Sequence, residues 1–181
     1  IQEEVNEVLK VKRSGSVMIE NPYSVNLEQT VQDAFSIMSE KDVSGLLVVD
    51  SNSKLVGILT ERDVLFEPPN CSKLVKELMT KDVVTAKPGL DLEEAKKMLK
   101  KNRIEKLPIM DNDNLIKGLI TNQDISNLEK YPNASKDGKG RPIVRAAVGV
   151  KGDFMERAEA LLDAGTDVIV VDIAHGHSEN A

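Results

Sequence analysis

Gly57-Ile58-Leu59-Thr60-Glu61-Arg62-Asp63 returns 61 positions later as Gly118-Leu119-Ile120-Thr121-Asn122-Gln123-Asp124. The same offset carries Met18 onto Met79, Ala34 onto Ala95, Leu46 onto Leu107 and Asp50 onto Asp111, with no gap. Residues 18–64 and 79–125 therefore read as one supersecondary unit written twice. Two copies suggest a closed pair in which each buries its apolar face against the other, since a solenoid needs three or more. The seam of such a pair is where a small-molecule cleft is expected.

Working outward, each copy has a helix with apolar residues at helical spacing. Val31, Ala34, Phe35 and Met38 mark the first, and Leu92, Ala95, Met98 and Leu99 the second. Thr30 with Asp33, and Asp91 with Glu94, have the spacing of helix-starting caps. Two short strands follow, Leu46–Val49 and Leu55–Thr60, then Leu107–Met110 and Leu115–Ile120, each pair around a turn-rich tetrapeptide. Outside the repeat, residues 2–10 carry a short helical pattern. The basic Lys10-Val11-Lys12-Arg13 and a Ser14-Gly15-Ser16 hinge follow it. Residues 130–142 read as an exposed linker. Beyond it come an apolar strand over 143–150, an amphipathic helix over 153–164 with Met155, Ala158, Leu161 and Leu162 inward, and a continuous apolar strand over 168–171. That last run predicts a parallel strand buried on both faces.

Thr-x-x-Asp at a strand-to-helix junction admits two readings. Free N–H groups at the helix start favour an anion, the Thr hydroxyl can bond a phosphate oxygen, and the Asp carboxylate one turn on can accept both hydroxyls of a ribose. The same four residues also make an ordinary cap that needs no ligand. Thr60, Asp63, Thr121 and Asp124 are thus candidate nucleotide contacts with a purely structural alternative.

Composition narrows the classes. The net charge of −6, with no Trp, two Tyr and three Phe, leaves neither a basic surface nor stacking platforms for nucleic acid. Lys96, Lys97, Lys100, Lys101, Arg103 and Lys106 nevertheless form a local basic excess, either a solvated helix face or the border of an anionic ligand. Cys71 stands alone, so no disulfide framework or cysteine zinc site is available, in keeping with a cytoplasmic setting. No apolar run is long enough to span a bilayer, so membrane association is not expected. The chain starts at Ile1 rather than Met, which suggests a piece of something longer.

The duplicated Gly-h-h-Thr-x-x-Asp, preceded by Val43-Ser44-Gly45-Leu46 or Ile104-Glu105-Lys106-Leu107-Pro108-Ile109, resembles a tandem pair of CBS domains, a Bateman module. That resemblance implies an adenine or guanine nucleotide in clefts between the repeats, with ribose at Asp63 and Asp124 and phosphate at Thr60 and Thr121. Gly45-Leu46-Leu47 stands where such repeats commonly have a proline. The flanks are similar to the inosine monophosphate dehydrogenase family. Val8–Arg13 and Met18 resemble its exit from the catalytic barrel. Tyr131–Asp137, Ala146-Ala147-Val148-Gly149 and Asp167–Ser178 resemble the return.

The resemblance implies an α/β chain: a tandem CBS pair of β-α-β-β-α repeats with flanking partial (β/α)8 TIM-barrel segments. Its parts would be a flank over 1–14, repeats over 15–70 and 71–128, a linker over 129–142 and a barrel segment over 143–181. The expected role is regulatory, within a parent that oxidises inosine monophosphate to xanthosine monophosphate with NAD in guanine nucleotide synthesis. The chain alone would be inactive. It lacks the family's Cys loop and Arg flap, and no catalytic residue is assigned within it. A stand-alone nucleotide sensor, or part of a related GMP reductase, is the alternative. Asp172 would hydrogen-bond the nicotinamide ribose of NAD, and Ile173 replaces a usual Thr or Ser. Asp172, His175 and His177 as a metal site is a further option, although three residues of one loop suit loop chemistry better and no metal is assigned. Expected partners are purine nucleotides, the rest of the barrel, and further copies of the chain in a homo-oligomer through the CBS pairs or the barrel.

Overall fold

The duplication is written into the backbone of the computed structural model, which describes residues 1–14, 18–68, 71–138 and 140–179. Two compact units are present. One is residues 18–122, and the other combines 1–17 with 123–181. The expected hinge at Gly15-Ser16 lies outside the described residues.

In the unit over 18–122, strand β1 (Ser24–Asn26) leads to helix α2 (Val31–Lys41), where α1 is the chain's first helix, Gln2–Ser14. The antiparallel strands β2 (Gly45–Val49) and β3 (Leu55–Thr60) follow, then the short helices α3 (Glu61–Val64) and α4 (Val75–Leu78). The second copy supplies α5 (Leu92–Asn102), β4 (Lys106–Met110) and β5 (Ile116–Thr121). Register repeats with the sequence: Gly45 faces Thr60 and Val48 faces Gly57, while Lys106 faces Thr121 and Ile109 faces Gly118. Both hairpins slip register at the same place, after Val48 and after Ile109. The left-handed residues recur too. Asp42 and Arg103 end the two helices at φ of 50° and 54°, and Ser53 and Asn114 turn the hairpins at φ of 60°. Thr30 and Asp33 cap each other at the start of α2, and Asp91 accepts the Glu94 N–H at 2.7 Å at the start of α5.

The copies exchange their leading segments. Ile19 pairs with Leu119 of the second copy, and Thr80 pairs with Ile58 of the first. The two glycines explain why such close approach is possible. A Cβ on Gly57 would lie 2.6 Å from Met79 Sδ and 3.0 Å from the Thr80 carbonyl oxygen. One on Gly118 would lie 2.5 Å from Met18 Sδ and 3.0 Å from the Ile19 carbonyl oxygen. The opening Gly of each motif is thus a crossing point for the other copy's chain.

The copies are not equal β-α-β-β-α units, and here the expected architecture needs correction. β1 pairs in parallel with β2 over three residues, whereas its counterpart in the second copy is a single bridge, Ala86 to Ile109. Two prolines account for this. In the first copy Leu27 N–H bonds the Val49 carbonyl and Leu47 N–H bonds the Tyr23 carbonyl, both at 3.1 Å. The positions corresponding to Leu27 and Leu47 are Pro88 and Pro108, which carry no N–H. Only the two bonds through Ala86 remain, at 3.0 and 2.8 Å.

The core of the first copy gathers Val25, Val31, Ala34, Met38, Leu46, Val48, Leu59, Val64, Cys71 and Val75. In the second copy Ala95, Leu99, Leu107, Ile109, Leu119 and Ile120 are buried. Burying this many aliphatic side chains, at roughly 1.5–3 kcal/mol each, stands in for the missing aromatics.

The other unit contains α1, helix α6 (Asn122–Lys130), which begins at the boundary, and a parallel pair of strands, β6 (Arg145–Val148) and β7 (Val168–Val171). Helix α7 (Phe154–Asp163) connects that pair. Val8 of α1 packs with Val148, Leu161 and Ala164. Val168, Val170 and Val171 of β7 are 41%, 46% and 48% exposed. A two-stranded sheet gives it one neighbour, and its apolar side chains stay open among the described residues. On α7 only Leu161 is fully buried, while Met155 and Leu162 are exposed.

Candidate functional site

Within the unit over 18–122, β3 delivers Thr60 to the start of α3, and the motif's four last residues line a cavity of about 280 Å³. Ser44 and Thr80 border it, and Arg103, Glu105 and Lys106 form the facing wall. The Asp63 carboxylate takes the Thr60 N–H and the Thr60 hydroxyl at Oδ2, both at 2.7 Å. The cap alternative is therefore realised in the geometry.

The facing wall is charged on both sides. Arg62 forms an ion pair with Glu105. Lys106 Nζ donates to Ser44 Oγ at 2.9 Å and its stem crosses Gly45, whose Cβ would stand 3.1 Å from Lys106 Cε. Burial holds the Lys106 ammonium below the ordinary lysine pKa, against the upward pull of Glu105 and Glu61. A large residue at the Gly45 position would collide with that lysine. Cations and a carboxylate thus meet in one concave place.

The predicted residues are distributed as follows. Thr60 and Asp63 share the cavity. Of the basic residues singled out in the sequence, Arg103 and Lys106 line it, whereas Lys96, Lys97, Lys100 and Lys101 belong to α5 outside the lining. Thr121 ends β5, and Asp124 is buried in the first turn of α6. Asp172 follows β7 directly, exposed, with its N–H on the Val148 carbonyl at 2.8 Å. His175 and His177 are exposed as well, and no group of ligating side chains suited to a metal ion occurs among the described residues.

Sequence reasoning missed Lys12. Its side chain is only 3% exposed, and Nζ reaches Asp167 Oδ2 at 2.5 Å and Asp137 Oδ2 at 3.2 Å. Arg141 also engages Asp137, at 2.9 Å. The Lys12 hydrogen bond, with the Val144 N–H second, holds the Asp167 carboxyl below the usual carboxylate range. Lys10-Val11-Lys12-Arg13 gave no sign of this, because all three cations look alike until the helix buries one.

The family model for the IMP dehydrogenase / GMP reductase domain matches residues 1–181. Inosine-5'-monophosphate dehydrogenase of Nitrosopumilus maritimus is 68% identical over 181 residues, covering 100% of this chain and 38% of that protein. The Aquifex aeolicus enzyme of the same name is 50% identical over 181 residues, covering 99% of this chain and 37% of that protein. The chain thus spans under two fifths of the length of these relatives. Among solved structures, GMP reductase from Trypanosoma brucei in complex with guanosine 5'-triphosphate matches with a TM-score of 0.79 and 38% identity, covering 99% of this chain and 44% of that one. The GMP reductase structure in complex with guanosine 5'-monophosphate gives 0.78 and 37%, covering 99% and 39%.

These matches correct the resemblance to a tandem CBS pair with barrel segments at its flanks. The family model runs through 1–181 as a single domain, so the duplicated segment is counted within the IMP dehydrogenase / GMP reductase domain and not as a Bateman module of its own. The fold class is accordingly that of the (β/α)-type IMP dehydrogenase / GMP reductase domain, superposing over 99% of the chain. The expected regulatory role and the stand-alone sensor are replaced on the same ground. With the family model spanning all 181 residues, the chain belongs to the IMP dehydrogenase / GMP reductase family.

Proposed function

We propose that this chain serves an NAD(P)-dependent oxidoreductase acting on the base of a purine nucleoside monophosphate. The oxidation of inosine monophosphate to xanthosine monophosphate is the favoured direction. The observation that carries this reading is the 68% identity, over every residue, to a dehydrogenase. Identity to the solved reductases is 37–38%. In the net reaction a water oxygen is added at the purine C2, a hydride leaves C2 for the nicotinamide, and a proton is released.

Asp172 is the cofactor contact in this proposal. It stands just past the C-terminal end of a parallel strand, the end at which barrels of this class do chemistry. An exposed carboxylate, which only accepts hydrogen bonds when ionised, suits the two hydroxyls of a nicotinamide ribose. Bound there, the nicotinamide supplies the hydride acceptor. Thr60 and Asp63, and by repetition Thr121 and Asp124, are proposed as contacts for a purine nucleotide, with Arg103 and Lys106 facing the first pair. A homo-oligomeric, cytoplasmic enzyme accords with the family. No described helix is long and apolar enough to cross a membrane.

Two experiments test the reading. In the intact enzyme, Asp172→Ala raises KM for NAD about tenfold, as expected for one lost hydrogen bond to a charged group; an unchanged KM removes Asp172 from the cofactor site. Separately, ATP or GTP, neither of them the substrate, raises the melting temperature, and Asp63→Ala with Asp124→Ala abolishes the rise. If neither shifts the wild type, the Thr-x-x-Asp pairs are caps alone.

A further inference from the structure

We infer that the two halves of the repeat are unequal toward a phosphorylated ligand: Thr60 and Asp63 take a nucleoside polyphosphate first, and far more tightly than Thr121 and Asp124, because Lys106 crosses to the first pair. The inference rests on the proposal that these pairs contact a purine nucleotide.

Lys106 and Gly45 are one repeat position, 61 residues apart. By backbone register each opens a hairpin opposite its own threonine: Gly45 faces Thr60, and Lys106 faces Thr121. The Lys106 side chain does not stay there. Its Nζ donates to Ser44 Oγ at 2.9 Å, and Ser44 stands at the first junction, where its carbonyl accepts the Glu61 N–H. The lysine stem runs over Gly45, where a Cβ would lie 3.1 Å from Lys106 Cε and 3.0 Å from the Leu59 carbonyl oxygen. The space that a side chain at position 45 would need is thus filled by its own repeat partner. Only one of the two positions can carry a long cation, and the second copy carries it.

The other cations divide in the same way. Arg62 and Arg103 line the cavity with Thr60, Asp63 and Lys106. Their repeat counterparts are Gln123 and Asp42, neither of them a cation. Glu61, Asp82 and Glu105 also line the cavity, and Glu105 engages Arg62. The Lys106 ammonium rests instead on a neutral hydroxyl, and a phosphate oxygen is the stronger acceptor. The carboxylates differ as well: Asp124 is buried, whereas Asp63 is half-buried. A hydrogen bond between charged groups is worth about tenfold in affinity or more, so two of them separate the pairs by roughly a hundredfold.

Calorimetric titration of the intact enzyme with ATP, and separately with GTP, tests this. The expected result is one tight event per chain, lost in Asp63→Ala and kept in Asp124→Ala. Lys106→Met weakens that event by about tenfold or more and flattens its dependence on salt. Arg103→Gln, at an exposed position, shows the same change in weaker form and stands in if Lys106→Met does not fold. Two events of equal affinity overturn the inference. So does a tight event that Asp124→Ala removes or that Lys106→Met leaves unchanged. If neither nucleotide binds at all, the nucleotide reading itself fails and takes the inference with it.

Discussion

Gly57 and Gly118 hold the tightest single positions in the duplicated unit, because each lies under a chain segment from the other copy. Gly57→Ala is expected to destabilise by about 1–3 kcal/mol, the usual range for overpacking. The Met79 thioether can swing aside, but the Thr80 carbonyl is backbone and cannot. Urea unfolding checks this, and an unchanged midpoint would show that the crossing strand yields freely. Arg103 offers the opposite sign. It ends α5 at φ 54°, a left-handed conformation that costs a side-chain-bearing residue roughly 1 kcal/mol. Arg103→Gly should therefore stabilise by up to about that amount in the same assay.

At the scale of elements, the caps and the ion pair respond to pH in a defined direction. The Thr30 hydroxyl and N–H hold the Asp33 carboxyl below its ordinary pKa, and Lys12 does the same for Asp167. A carboxyl with a depressed folded-state pKa contributes stability that is present above its unfolded value. That contribution fades as pH falls through the folded value. Asp167→Asn should accordingly flatten the acid limb of stability below about pH 4, read as melting temperature against pH. An unaltered acid limb would mean that Lys12 exerts no hold in solution.

The helices, hairpins and Thr-x-x-Asp junction were legible because periodicity and turn residues are local. The weakened third strand of the second copy was legible in principle, since Pro88 and Pro108 each lack an N–H. Recognising it required knowing which N–H groups the first copy uses, and that is a tertiary fact. The burial of Lys12 was not legible, because it depends on what packs alongside.

For the whole molecule, the division into residues 18–122 and the discontinuous remainder predicts separable cooperativity. Lys12→Met should lower the stability of the second unit by roughly 2 kcal/mol, in line with losing a hydrogen bond between charged groups. Gly57→Ala should act on the first. Calorimetry checks this by which transition moves; a single transition lowered equally by both would show one cooperative block. The repeat alone resembles a regulatory pair, while the flanks carry the resemblance to the dehydrogenase family, and the family model joins both in one domain over all 181 residues.

Spectrophotometric assay of the intact enzyme with inosine monophosphate and NAD tests the central claim most directly. The account predicts NADH formation matched by xanthosine monophosphate, with KM for NAD raised by Asp172→Ala. No NADH with inosine monophosphate, together with no NADPH consumption on guanosine monophosphate, would contradict it.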